Sequence, residues 1–394
     1  MKTLRIGLAL LLAFGLSAPA RAQSTAFVQG ENQFAISLYG KLAEQPGNFV
    51  VAPYSVALAL GMVYAGARGH TAAEIAAALH VQNMSLAAFE QQAAKPVLAV
   101  TGLGTFTNAS ALWVQRGFAV PSAFRHTIQQ TFSGSVSEVD FSNPDDAADR
   151  INTWADASTQ GMIQNAFTPQ MFRPAPDMVL ANAVYFKAVW QKPFDKRVTR
   201  PWLFHVAPGR DVSVPMMTIN GTFLLAQEPK AQILTLPYKG DASMIIILPK
   251  ARFGLPAIEA GLSDGELNRW LADQQEAAQT VVSLPKFRAT STSTLQAPLA
   301  ALGVKAVFAP GLANLSGMSA QAAYLSAMIQ KTFIDVNESG TEAAGVAGSF
   351  SAGASFGAPP TPQFIAGHPF LYLIRANSTG AILFMGRVVN PASG

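Results

Sequence analysis

Residues 337–363 read NESGTEAAGVAGSFSAGASFGAPPTPQ. From Ala343 onward the side chains are nearly all small, in a chain that is half hydrophobic overall. Composition alone would make this a flexible linker. Its position argues otherwise. The next residues, FIAGHPFLYLIRANSTGAILFMGRVVNP, contain well-made strand patterns, so the stretch lies inside the last part of a core and not between two domains. A strand alternates faces with period two. With Thr341 as the first strand residue, one face is Thr341, Ala343, Gly345, Ala347, Ser349 and Ser351, all small and uncharged. Glu342, Ala344, Val346, Gly348 and Phe350 take the other face. A small, uncharged face can enter a packed interior without overpacking it or burying a charge. Counted from Thr341, the stretch therefore has a pattern that a β-strand with one small, uncharged face would show.

Around this segment the chain is globular in composition: 394 residues, 50% hydrophobic and 13% charged. The first 22 residues stand apart. Lys2 and Arg5 precede the apolar run IGLALLLAFGL, and Ala20-Arg21-Ala22 closes it, the pattern of an export signal peptide. The expected organisation is thus a leader at 1–22 and a single domain at 23–394, secreted or periplasmic. Without Lys2, Arg5 and Arg21 the chain carries 24 basic residues against 23 acidic ones, and no basic cluster that would favour nucleic acid. With no cysteine, an exported chain must be stable by core packing alone. The apolar stretch YSVALALGMVYAGA (54–67) is too short for a membrane span and is expected as a buried helix.

Helices and strands alternate without a βαβ rhythm, which predicts an α+β domain with more than one sheet. Thr71-Ala72-Ala73-Glu74 reads as a capping box opening a helix. NPDDAAD (143–149) reads as the acidic start of another. NASALWVQ, MVLANAVYF, QILTLPYK, SMIIILPK, VVSLPKFRATS and ILFMGRVV are strand-like, several of them apolar on both faces.

Conventional catalysis finds no support. Gly353-Ala354-Ser355-Phe356-Gly357 matches the G-x-S-x-G nucleophile elbow, and a secreted hydrolase using Ser355 is the reading it would give. That motif needs a helix leaving the serine, yet prolines follow at 359, 360 and 362. No acid follows Ser355, and the only later histidine is His368. His70, His80, His126 and His205 lack partners at metal spacing, so no metal and no cofactor is expected.

The octapeptide Asn337-Glu338-Ser339-Gly340-Thr341-Glu342-Ala343-Ala344 closely resembles the reactive-centre-loop hinge of serpins, the serine protease inhibitor superfamily. NFVVAPYSVALALGMVYAGARGHTAAEI, INTWADASTQGMI, ANAVYFKAVWQKPFD, LPYKGDASMIIILPK, LGVKAVF, HPFLYLI and FMGRVVNP are similar to family blocks in the same order. The resemblance implies a serpin fold, three β-sheets with eight to nine helices, with an exposed loop at about 338–363. It implies an inhibitor and not an enzyme. A serine protease (a cysteine protease is the alternative partner) cuts the loop, is trapped as a covalent acyl-enzyme, and is carried off as the loop inserts into the main sheet. A monomer is expected, with no nucleic-acid or membrane partner. A non-inhibitory serpin acting as a binding protein is the alternative.

Family spacing then assigns positions. The hinge is Glu338, Gly340, Thr341, Glu342, Ala343, Ala344, Gly345 and Ala347. Counting on from Glu338 gives the reactive bond as Ala354–Ser355, with Phe356 the alternative. A small residue before the bond implies an elastase-like or subtilisin-like target. Ser55 and Asn182 match the polar cluster beneath the sheet's centre, with Gln330 where the family's histidine is usual and Ala52 where a serine is usual. Trp190 and the pair Lys286–Glu338 fall where the loop enters the sheet.

Overall fold

The helix Pro53–Gly66 opens on a proline, which fits a first helical turn because the missing N–H is unneeded there. All fourteen of its residues are buried, which is why it is apolar on every side. No helix among the described residues is long and apolar enough to cross a membrane. The computed structural model describes residues 26–93, 104–341 and 361–393. The expected leader 1–22, the expected reactive bond Ala354–Ser355, its alternative Phe356 and the expected hinge residues Glu342, Ala343, Ala344, Gly345 and Ala347 lie outside the described residues.

A six-stranded sheet runs in the order Phe287–Thr294, Ala327–Asn337, Gly340–Thr341, Met178–Val189, Gly104–Gln115, Ser135–Val139. A second sheet has nine strands, the long one being Arg210–Gln227. The first half of that strand pairs with Arg200–Ala207 and its end with Ala231–Pro237, with an irregularity between Gly221 and Phe223. Two of the three expected sheets are thus hydrogen-bonded into one continuous surface. Nine α-helices surround the sheets among the described residues, which makes the fold α+β.

Met178–Val189 is apolar on both faces because both are covered. Leu180, Val184 and Phe186 face the main core, beside helix Pro53–Gly66. Val179, Ala181 and Ala183 lie under helix Pro144–Ser158, which contributes Ala147, Ala148, Ile151 and Ala155. That helix starts as expected, with the Asn143 side chain accepting from the Asp146 N–H at 3.4 Å and Asp145 and Asp146 in the first turn.

Two sequence expectations change. The helix over 71–74 begins earlier, at Gly69, with no side-chain cap. Thr71 Oγ1 instead accepts from the Asn314 N–H, and Glu74 accepts from the N–H groups of Lys305 and Ala306. These residues tie the helix to a distant loop, a demand that local spacing does not reveal. The run VVSLPKFRATS is two strands, Gln275–Pro285 in the nine-stranded sheet and Phe287–Thr294 in the six-stranded one. Lys286 sits at the crossing, after a proline that has no N–H to offer a ladder.

Candidate functional site

The top of the six-stranded sheet is divided. Strands Ala327–Asn337 and Met178–Val189 pair directly and in parallel from Ala327↔Val179 to Phe333↔Tyr185. Above that level Gly340–Thr341 lies between them, pairing with both: Thr341 faces Val336 on one side and Ala188 on the other. The chain therefore leaves the first strand, turns at Glu338–Ser339 and returns into the gap. Gly340 is required at that point. Its φ is +152°, and a Cβ there would lie 2.0 Å from the Ala188 carbonyl oxygen.

Thr341 had been expected outside the sheet until the loop is cut. It is already inside, with no exposed surface. Its Oγ1 shares a 2.7 Å hydrogen bond with the Tyr238 hydroxyl. Burial pushes the Tyr238 phenol well above its usual pKa, so it stays neutral, with the Thr341 bond acting against the shift. Tyr238 stacks on Trp190 with ring centroids 4.3 Å apart and planes 8° from parallel. Trp190 holds the turn twice, donating from Nε1 to the Asn337 carbonyl and from its backbone N–H to the Ser339 carbonyl, each at 3.0 Å. Phe194 N–H donates to the Glu338 carbonyl at 2.8 Å.

The Glu338 side chain is 5% exposed and meets Lys286 Nζ at 3.0 Å. Thr199 Oγ1 donates to its other oxygen at 2.9 Å. Burial works to raise the Glu338 pKa, but hydrogen bonds from its own backbone N–H, Lys286 and Thr199, with the Lys286 charge, bring it below the usual carboxylate value. The turn at Glu338–Ser339 is thus fixed by a charged pair whose carboxylate is buried and by an aromatic stack.

Lower down, where the two strands meet directly, Gln330 and Asn182 are register partners and both fully buried. Gln330 Nε2 donates to Asn182 Oδ1 at 2.6 Å and to the Ala52 carbonyl at 3.0 Å, and Oε1 accepts from the Ala52 N–H at 2.9 Å. Gln330 thus grips both backbone groups of Ala52, just before helix Pro53–Gly66, where the family's serine is absent. Asn182 Nδ2 reaches across to Asn108 Oδ1, the Ala109 carbonyl and Ser110 Oγ. Ser55, assigned to this cluster from the sequence, is buried, but among the described residues its hydroxyl has no hydrogen-bond partner. Asn108 and Ser110 were missed. Their signal was their spacing by two in NASALWVQ, polar positions sharing one face of an otherwise apolar strand.

The chain matches the serpin (serine protease inhibitor) family profile over residues 29–391. It belongs to the serpin family. It is 34% identical to the leukocyte elastase inhibitor of Bos taurus over 371 residues, 91% of this chain and 98% of that protein. Serpin I2 of Homo sapiens is 34% identical over 403 residues, covering 99% of this chain and 97% of the relative. Among solved structures, Serpin48 of the insect Tenebrio molitor, described as a highly specific serpin, superposes with TM-score 0.82 at 33% identity, covering 92% and 98% of the two chains. Thyroxine-binding globulin in complex with thyroxine superposes with TM-score 0.85 at 26% identity, covering 93% and 100%. The serpin family thus includes relatives named as inhibitors and a relative named for a bound hormone. Among the described residues of this serpin no group of three or more His, Cys, Asp or Glu is placed to hold a metal.

Proposed function

We propose that this serpin is an exported suicide inhibitor of a serine protease with elastase-like or subtilisin-like preference. The observation that carries the proposal is the seated hinge, with Gly340–Thr341 occupying the top of a gap whose lower part is closed by direct strand pairing. Cleavage between Ala354 and Ser355 frees the hinge-side strand to continue down that gap. Extending the pairings of Thr341 with Val336 and Ala188 one residue at a time sets the register of the inserted strand. Glu342 then comes level with Asp335 and Lys187 on the outer face, and Ala347 comes level with Gln330 and Asn182 on the inner face. The small inner residues Ala343, Gly345 and Ala347 suit that path, because the core side of the gap is already packed. The charged or bulky inner residues that would suit a carrier role are absent.

The test is incubation with elastase, subtilisin, trypsin and chymotrypsin followed by denaturing gels. A denaturant-resistant adduct is expected, with a released C-terminal peptide beginning at Ser355. A peptide beginning at Gly357 would move the bond to Phe356. Complete loop cleavage by every protease without an adduct would overturn inhibition.

A further inference from the structure

Beside the hinge turn lies a cleft of about 510 Å³, lined by Lys196, Lys286, Arg288, Asp335, Asn337 and Glu338, with Pro215, Phe287, Pro391 and Ala392 as apolar wall. Its volume is in the range of sites that take small organic ligands, roughly 300–1,000 Å³. Its hydrogen-bonding groups are unequally used. Each acid has a basic partner: Asp335 accepts through Oδ2 from Arg288 Nε at 2.7 Å, its Oδ1 having no partner among the described residues, and Glu338 is shared by Lys286 and Thr199. Donors are left over. Arg288 uses only Nε among the described residues, so its two terminal nitrogens are unengaged. The Lys196 ammonium has no ion-pair or hydrogen-bond partner there. The Asn337 carboxamide oxygen accepts from the Ser339 N–H, and among the described residues its amino group has no acceptor. Three cations against two anions give the cleft one positive charge in excess.

We propose that this cleft is a binding site for a small organic anion, a carboxylate or phosphate ester with an apolar body. A surplus of donors is satisfied by a ligand that brings acceptors, and charge-assisted bonds are the stronger ones. The charged end engages Lys196, Arg288 and the Asn337 amide, and the apolar body rests on the proline-lined wall. Inorganic phosphate offers the charge without the body and binds more weakly. Neither the family comparison nor the hinge geometry calls for such a ligand. Its place matters because Asn337 and Glu338 form the start of the turn that carries Gly340–Thr341, and the Asn337 carbonyl receives the Trp190 Nε1–H. Occupancy is therefore sensed next to the hinge.

The experiment uses the intact, uncleaved protein and phthalate as the organic probe, titrated by calorimetry and by tryptophan fluorescence against chloride at equal ionic strength. Saturable phthalate binding is expected, weaker for inorganic phosphate. Lys196→Gln should weaken phthalate by about tenfold, the scale of one lost charge-assisted hydrogen bond. Lys305→Gln, which removes a charge outside the cleft, should leave it unchanged. Binding no stronger than chloride, or equal in the two variants, overturns the site. Phosphate binding as tightly as phthalate overturns the organic ligand class. No protease is involved, so failure here leaves the inhibitory proposal standing, and loss of inhibition would leave this site standing.

Discussion

Replacing Gln330 by alanine should release the sheet before any protease arrives. Gln330 makes three buried hydrogen bonds, but they do different work. The two to Ala52 join the strand to the residue before the central helix and stay on one side of the line along which the sheet must part. The 2.6 Å bond to Asn182 crosses that line. Strand separation breaks it in the wild type, so its worth is part of the barrier. In Gln330→Ala the closed state has already lost it and leaves Asn182 Oδ1 buried without a partner, which costs about 1–3 kcal/mol. The barrier falls by about that amount, and since ~1.4 kcal/mol is tenfold in rate, opening should be roughly five- to a hundredfold faster. Separately, the loss of the Ala52 bonds lowers overall stability by about 1–3 kcal/mol at 0.5–1.5 kcal/mol each. The assay holds both proteins at one temperature below their melting transitions. It follows conversion of uncleaved chain into a form that has lost inhibitory activity and resists urea. Equal conversion rates within twofold would refute the assignment of Gln330–Asn182 as the closure, even if the variant proved less stable.

Thr341→Arg would force a cation into a fully buried position and expel the hinge, at a cost of several kcal/mol. It should still be cut at the same bond but release active protease, and Thr341→Ser should still trap it. The gel ratio of adduct to cleaved chain decides, and an undiminished adduct would refute the role. Glu338 has a folded pKa below its ordinary value, so its contribution is complete above the unfolded carboxylate range, about pH 4.3, and is lost as pH falls through the folded pKa. Hydrogen-exchange protection at 338–341, relative to the intrinsic rate at each pH, should fall on acidification below about pH 4.3 in the wild type, and the step should vanish in Glu338→Gln. Gln330→His should make conversion to the inactive form faster below about pH 6, because a protonated imidazole cannot accept from the Ala52 N–H and buries a charge. The wild type, with an amide that does not titrate, should lack that component between about pH 5 and 8.

The sequence announced the class of the fold and the order of its parts because those depend on local pattern and on many family blocks. The all-buried helix Pro53–Gly66 and the acidic start at Asn143 follow from composition and capping alone. At the segment expected as the hinge, a Cβ on Gly340 would lie 2.0 Å from the Ala188 carbonyl oxygen, and Lys286 meets Glu338 at 3.0 Å. What was not legible depends on register between distant segments. Ser55 and Ala52 are three residues apart, and only the packed structure tells that the Ala52 backbone, not the Ser55 hydroxyl, receives the polar contact. Tyr238 lies in the block LPYKGDASMIIILPK, yet nothing local in that block tells that its hydroxyl meets Thr341 from 103 residues away. The seating of Thr341 before cleavage belongs to the same class, being a balance between strand pairing and loop freedom that one segment's sequence does not contain.

The two fastenings of the divided sheet are spaced so that they act in succession. The upper one, Thr341 with Tyr238 and Trp190, is already made in the uncut protein, so no barrier remains at the hinge itself. The lower one, Gln330 with Asn182, is met in the proposed register only when Ala347 arrives, six residues beyond Thr341. That is about 20 Å of strand at ~3.3 Å per residue. In that register Glu342 and Ala343 gain backbone partners in the open gap, and from Ala344, level with Phe333 and Tyr185, each new pairing replaces a direct strand–strand pair, while the inner face takes in only Ala343 and Gly345. Under the proposed insertion the advancing strand must part three direct pairs, Phe333↔Tyr185 to Lys331↔Ala183, before it meets the Gln330–Asn182 bond. The two loop glycines then differ in effect. Gly345 enters above the closure, so its loss of about 0.5–1 kcal/mol relative to alanine in a strand adds to the barrier and slows capture. Gly348 enters below it, level with Ile329 and Ala181 under helix Pro144–Ser158, and so weakens only the final state. A trap of this kind would be limited by what lies between the hinge and Gln330, and there the inner face carries only alanine and glycine.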